Sequence, residues 1–315
     1  MGKIAFLFPG QGSQTVGMGK ELADNDEKVR SIFQQADQSL GFSLSKIIFE
    51  GPEDQLTLTV NAQPALLTAG IALLEKVKEV GIVPDYVAGH SLGEYTALVA
   101  AGTLKFQDAV RIVRKRGEFM EEAVPAGKGT MAAVLGFERE KLQQVTETVT
   151  NEGHSVQLAN LNCPGQIVIS GTKEGVEKAC KLAKEQGARR TIPLNVSGPF
   201  HSRLMEPAAG RLEEALHACP FQDAEIPVVS NVTAGPVRDS GKIKDLLIKQ
   251  LYSPVLWEDS VKNMIASGVD TFIEIGPGKV LTGLVRKIDR SVRTFNISDQ
   301  KSLQSTIDEL EGGKK

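Results

Sequence analysis

Residues 84–93 read PDYVAGHSLG, and the fold turns on how that stretch is read. DYVAG (85–89) is a short apolar run of strand character, and SLGEYTALVAAGTL (91–104) is almost wholly apolar, as a buried helix would be. Gly89, His90, Ser91, Leu92 and Gly93 stand at the join. GxSxG between a strand and a helix is the nucleophile-elbow pattern, in which a sharp turn leaves no room for larger neighbours and lifts the serine hydroxyl into the open. The helix that follows points its positive N-terminal end at that hydroxyl. The plainer alternative is a tight turn that happens to contain a serine.

Outward from the elbow, strand-like and helix-like runs alternate, which predicts an α/β fold with a parallel sheet covered on both faces. KIAFLF (3–8), IPVVSNV (226–232) and DTFIEIG (270–276) read as further strands. NAQPALLTAGIALLEKVKEVG (61–81) reads as a helix after Pro64, with Leu66, Leu67, Ile71, Leu74 and Val77 on one face and a stop at Gly81. The middle of the chain is different. Strand, helix, strand, strand, helix and strand follow one another over 127–196, the βαββαβ order of a ferredoxin-like unit. The expected organisation is a large hydrolase-like α/β domain, residues 1–126 and 197–315, interrupted by a small ferredoxin-like subdomain, residues 127–196.

The 315 residues are 41% hydrophobic and 24% charged, a globular profile with length enough for a substantial core. A net charge of −3 supplies no basic field for nucleic acid. MGKIAFLFPGQGSQ is too short an apolar run to span a membrane. Cys163, Cys180 and Cys219 form no CxxC pair, so free thiols and a cytoplasmic location are expected. No cluster of residues suggests a metal site.

GQGSQTVGMGK (10–20) follows the first strand and invites a test for phosphate binding. GxGxxG is not satisfied, and GxxxxGK[ST] fails because Met18 stands where lysine is required. What remains is a glycine-permissive loop at the carboxyl end of a strand, where α/β proteins place ligands, with Gln11 at its tip. A plain turn is the alternative here. For GPG (276–278), a similar strand-to-helix turn, the structural reading leads.

A nucleophilic serine needs a base, and there are four histidines. His90 adjoins Ser91 and should point elsewhere. His154 lies in a polar connection, and His217 sits near a helix end. His201, in SGPFHSRLMEP where the chain returns to the large domain, is the best candidate. No acid is equally well placed, so a carbonyl or amide is expected to orient it. In KFQDAVRIVRKRGEFMEEA (105–123), Phe106, Ala109, Val110, Val113, Gly117 and Met120 form one face, and Arg116 falls on its edge. A buried guanidinium must be paired. Its partner is either an internal acid, such as Glu94, or the carboxylate of a substrate.

With these residues assembled, the chain resembles the malonyl-CoA:acyl-carrier-protein transacylases of type II fatty acid synthesis. The resemblance runs in order through FLFPGQGSQ, GHSLGEYTAL, the RG that ends at Gly117, SGPFHS, SNVTA, QLYSPVLWEDSV and EIGPGKVLTGL. It implies that Ser91 accepts the acyl group and His201 is its general base. It further implies an oxyanion hole from Gln11 and the Leu92 N–H, Arg116 as binder of the malonyl carboxylate, and Gln250 as a support for His201. Phe200 matches the malonyl-selective form of its loop. Malonyl-CoA and acyl carrier protein are the implied partners, with no cofactor and a monomeric enzyme.

Two rival readings carry different expectations. A serine hydrolase on the same elbow would place its histidine near the C-terminus, after the acid, whereas more than a hundred residues follow His201. A non-catalytic carrier-binding module would not need Ser91, His201, Gln11 and Arg116 together. For docking of an acidic carrier protein, Arg114, Lys115, Arg189 and Arg190 are the candidate basic patch.

Overall fold

The computed structural model describes residues 2–125 and 127–312. Ala126, which ends the first expected domain segment, lies outside them. The described residues form ten strands: β1 (Lys3–Phe8), β2 (Tyr86–Gly89), β3 (Gly129–Leu135), β4 (Val156–Cys163), β5 (Gln166–Thr172), β6 (Arg190–Pro193), β7 (Val228–Val229), β8 (Pro236–Val237), β9 (Val269–Ile275) and β10 (Arg293–Ile297).

Six of them form one sheet in the order β10-β9-β1-β2-β7-β8, parallel except for the β7–β8 edge. Ala5, Phe6, Leu7 and Phe8 of the central β1 are all buried, the continuous apolar run expected of a strand covered on both faces. The chain leaves β1 for β2 on one side and has β9 on the other, so the carboxyl ends of β1 and β2 flank the crevice where open α/β sheets hold ligands. Phe8 and Gly89 are register partners there. Just beyond them, the loops come so close that a Cβ on Gly10 would overlap His90 O.

The other four strands form an antiparallel sheet in the order β4-β5-β3-β6, with helices Arg139–Asn151 and Lys173–Glu185 in the β3–β4 and β5–β6 connections. Its own core contains Val134, Leu142, Val145, Ile167 and Ile169. Main-chain bonds stitch the two sheets' surroundings together: Leu161 N–H donates to Val255 O at 2.9 Å and Val255 N–H to Ala159 O at 2.8 Å.

Two segments differ from the sequence expectation for identifiable reasons. The helix expected after Pro64 begins at Thr59 and runs to Glu79 with Pro64 inside it. Pro64 has no N–H for the carbonyl of Val60, four residues back. Arg114 Nη1 supplies the missing donor, 3.1 Å from Val60 O. IPVVSNV is a strand only at Val228–Val229, because Asn231 leaves the ladder to serve the elbow. The short β8 and β10 carried no alternation strong enough to be read. Among the described residues, no helix is long and apolar enough to cross a membrane.

Candidate active site

The elbow forms as its glycines require. Helix Leu92–Ala100 starts directly after Ser91, which sits at φ 52°, ψ −107°, a conformation L-residues avoid. A Cβ on Gly89 would stand 2.5 Å from Glu94 N, and one on Gly93 would stand 2.8 Å from Phe8 C. Both positions therefore admit only glycine while the helix packs this tightly on the strands. Asn231 braces the turn from outside the motif. Its Oδ1 accepts from Ser91 N–H at 2.7 Å, and its Nδ2 donates to Gly89 O at 2.7 Å.

His201 also has a positive φ, 58°, and is buried. Its Nε2 lies 2.8 Å from Ser91 Oγ, and its Nδ1 lies 2.8 Å from the main-chain oxygen of Gln250. A carbonyl oxygen can only accept, so Nδ1 carries the proton and Nε2 turns its lone pair to the serine. Burial, followed by the nearby Arg116 charge, lowers the His201 pKa to about 3, which keeps the ring neutral at working pH.

Arg116 lies on helix Phe106–Ala123 and is 1% exposed. Gly117 lets this helix approach Thr59–Glu79 so closely that a Cβ there would sit 2.9 Å from Val60 Cα. That approach brings Gln63 within reach. Arg116 Nη1 donates to Gln63 Oε1 at 2.7 Å, and Nη2 donates to Gln250 Oε1 at 2.9 Å and Ser91 Oγ at 3.1 Å. The guanidinium lies over the buried Tyr95 ring, 5.5 Å from its centroid. Glu94, the internal acid considered from sequence, forms no ion pair with it: the Gln250 side-chain amide stands between them. The cation is thus held by neutral acceptors alone among the described residues.

Gln250 divides its duties in a way the sequence did not reveal. Its main-chain oxygen orients His201, while its side chain serves Arg116 and the elbow, with Nε2 donating to Ser91 O at 3.1 Å. Gln11 lines the cleft, but its side-chain Nε2 donates to Thr59 Oγ1 at 3.1 Å. The main-chain N–H groups of Gln11 and Leu92 have no partner among the described residues, and both residues face the cleft.

The cleft has a volume of about 260 Å³. Ser91, His201, Arg116, Phe200 and Leu281 line it from the large sheet's side, and Asn160, Asn162, Gln166 and Val168 from the small sheet's side. His90 lines it too but turns its Nε2 to Asn162 Oδ1, 2.9 Å away. His217 is exposed beside Glu213, and His154 stands two residues before β4; the site includes neither. Arg114 is withdrawn from the candidate docking patch, because its guanidinium bonds Glu118, Val60 O and Asn61 Oδ1. Lys115, Arg189 and Arg190 are exposed.

Asn231 and Gln63 were missed from sequence as site residues. Asn231 lies in SNVTA, one of the segments that carry the resemblance, but no local pattern ties residue 231 to residue 91. Gln63 precedes Pro64, after which the helix was expected to begin, and no pattern marked it.

Glu94 is buried, and desolvation pushes its carboxyl up to about 7, against hydrogen bonds from Gln250 and Asn231 and the Arg116 charge, which lower it. The folded chain therefore keeps a proton that the unfolded chain releases as pH rises above 4.5. That contribution to stability is complete below 4.5 and lost as pH rises through 7. Glu94→Gln removes the titration, so its stability relative to wild type should improve between pH 5 and pH 8, by on the order of 3 kcal/mol at most. Urea midpoints of both proteins at the two pH values measure this, and a pH-independent difference would show an ordinary carboxylate.

The acyl transferase domain family matches residues 5–310. The malonyl CoA-acyl carrier protein transacylase of Bacillus subtilis (strain 168) is 62% identical over 310 residues, 98% of each chain. The acyl-carrier-protein S-malonyltransferase structure from Bartonella henselae superposes with a TM-score of 0.95 at 42% identity, covering 98% of this chain and 99% of that one. A malonyl-transacylase solved in complex with a type II PKS acyl-carrier protein also superposes with a TM-score of 0.95, at 41% identity, with 98% and 99% covered. The chain belongs to the acyl transferase family and, within it, to the malonyl CoA-acyl carrier protein transacylases.

Proposed function

We propose that this protein is an acyl-carrier-protein S-malonyltransferase that moves a malonyl group from malonyl-CoA to the phosphopantetheine thiol of acyl carrier protein, through a malonyl ester of Ser91. The observation that carries the reading is the coincidence at one hydroxyl of a neutral histidine acceptor and a buried arginine without a carboxylate partner. A serine hydrolase for neutral esters has no use for the second. The product supplies fatty acid chain elongation, and the enzyme works as a cytoplasmic monomer without a cofactor.

In the first half-reaction, Ser91 Oγ attacks the thioester carbonyl while its proton passes to His201 Nε2. The N–H groups of Gln11 and Leu92 are free to receive the oxyanion, and one such donor is worth about two to three orders of magnitude in rate. The C–S bond then breaks, and His201 returns the proton to the coenzyme A sulfur. In the second half, the carrier thiol gives its proton to His201 and attacks malonyl-Ser91. Collapse of that intermediate frees Oγ, which recovers the proton. Throughout, Arg116 holds the malonyl carboxylate, and Phe200 narrows the space beside its α-carbon.

We also assign residues 1–126 and 197–315 to the large domain and 127–196 to a ferredoxin-like subdomain. The strand order β4-β5-β3-β6 with two connecting helices supports the second assignment.

Intact-protein mass after mixing with malonyl-CoA, without acceptor, tests the proposal. One added malonyl group, stable to water and discharged by carrier protein, is the expected result. Free malonate accumulating with no adduct would return the hydrolase reading.

A further inference from the structure

Glu94 is 2% exposed behind the elbow, and the transfer steps give it no task. Its Oε2 accepts from Gln250 Nε2 at 2.7 Å and from Asn231 N–H at 3.1 Å. A buried acid this near a buried arginine would ordinarily pair with it, and the pair would cancel the charge a substrate is to meet. Here the Gln250 amide intervenes. Its Nε2 faces three acceptors, Glu94 Oε2, Ser91 O at 3.1 Å and Asn231 Oδ1 at 3.3 Å, and its Oε1 faces Arg116 Nη2. Turned over, the amide would set an oxygen against three oxygens and its NH₂ against a cation, so one orientation prevails.

We propose that Glu94 is a positioning residue for acyl-group selection: by gripping the Gln250 amide, it aims that residue's carbonyl oxygen at Arg116 and keeps its own charge one group away from the guanidinium. The proposal rests on the reading of Arg116 as the partner of the malonyl carboxylate. It adds that the preference for malonyl over an uncharged acyl group is set one layer behind the arginine. Glu94 touches no reacting atom. It acts on Arg116 through Gln250.

The test is the ratio of kcat/KM for malonyl-CoA to that for acetyl-CoA, measured with holo carrier protein for wild type, Glu94→Met, Glu94→Gln and Arg116→Ala. Methionine keeps the length and removes the acceptor; its ratio should fall at least tenfold, with malonyl-CoA KM rising and acetyl transfer held within a few-fold. Glutamine keeps an acceptor oxygen and should retain the ratio within about threefold. Equal losses of malonyl and acetyl transfer in Glu94→Met would mark a merely structural role and overturn the proposal, as would an unchanged ratio. A loss in Glu94→Gln as large as that in Glu94→Met would also overturn it. If Glu94→Met does not fold, Glu94→Asp withdraws the acceptor by one methylene and should lower the ratio; an unchanged ratio there counts against the proposal. Arg116→Ala separates the two layers. A ratio it leaves intact removes the reading of Arg116 itself, whereas a fall in Arg116→Ala without one in Glu94→Met overturns only the role of Glu94.

Discussion

Ser91→Ala should abolish the malonyl-enzyme and lower transfer to carrier protein by about four to six orders of magnitude. The expectation follows from the geometry at one oxygen. Ser91 Oγ receives a hydrogen bond from Arg116 Nη2 and donates one to His201 Nε2, and no neighbouring hydroxyl is shown in that relation. Alanine keeps the turn and the cleft while removing the atom that both groups address. On the proposed mechanism serine and histidine act as a unit, so His201→Ala should cost about as much, and the double variant little more than either alone. Single-turnover transfer of labelled malonyl groups, with acyl-enzyme mass recorded in parallel, measures this. A Ser91→Ala protein that still formed an adduct would place the nucleophile elsewhere.

Gly93→Ala should be nearly as damaging by a different route. Its new Cβ would lie 2.8 Å from Phe8 C and 3.0 Å from Pro9 O, main-chain atoms of the central strand and its exit that cannot swing aside. Helix Leu92–Ala100 must then lift from β1, taking Ser91 and Glu94 with it. Overpacking of this kind costs about 1–3 kcal/mol, and more where backbone meets backbone. The expected outcome is a lower urea midpoint together with loss of acylation. An unchanged midpoint would mean that the elbow helix is not seated on the strand as described.

The parts of the site legible in the sequence are those whose constraint is local. Gly89, Ser91 and Gly93 form one turn, and the stripe of helix Phe106–Ala123 shows by its period alone that Arg116 is half turned inward. His201 could be chosen among four histidines by its loop. The remainder depends on which segments meet. Asn231 is 140 residues from Ser91, and Gln250 is 134 from Arg116. No spacing rule predicts that the Gln250 backbone serves the histidine while its side chain serves the arginine. The start of helix Thr59–Glu79 was misplaced for the same reason: the donor that makes Pro64 tolerable arrives from residue 114. Glu94 was one of two partners expected for Arg116, and the amide that stands between them became visible only in three dimensions.

The sheet order also bears on how the protein is born. β1, made first, has β9 as a neighbour, and β4 is tied through Val255 to a segment made nearly a hundred residues later. Synthesis proceeds from the N-terminus at about 5–20 residues per second. A nascent chain therefore exposes Ser91 well before His201 emerges, and His201 well before the Gln250 carbonyl that fixes its tautomer. Until those arrive, Ser91 carries an ordinary hydroxyl. Its contacts with His201 and Arg116, and theirs with Gln250, are complete only when the last quarter of the chain has been made and has folded back, so on the proposed mechanism incomplete polypeptides cannot capture and waste acyl groups.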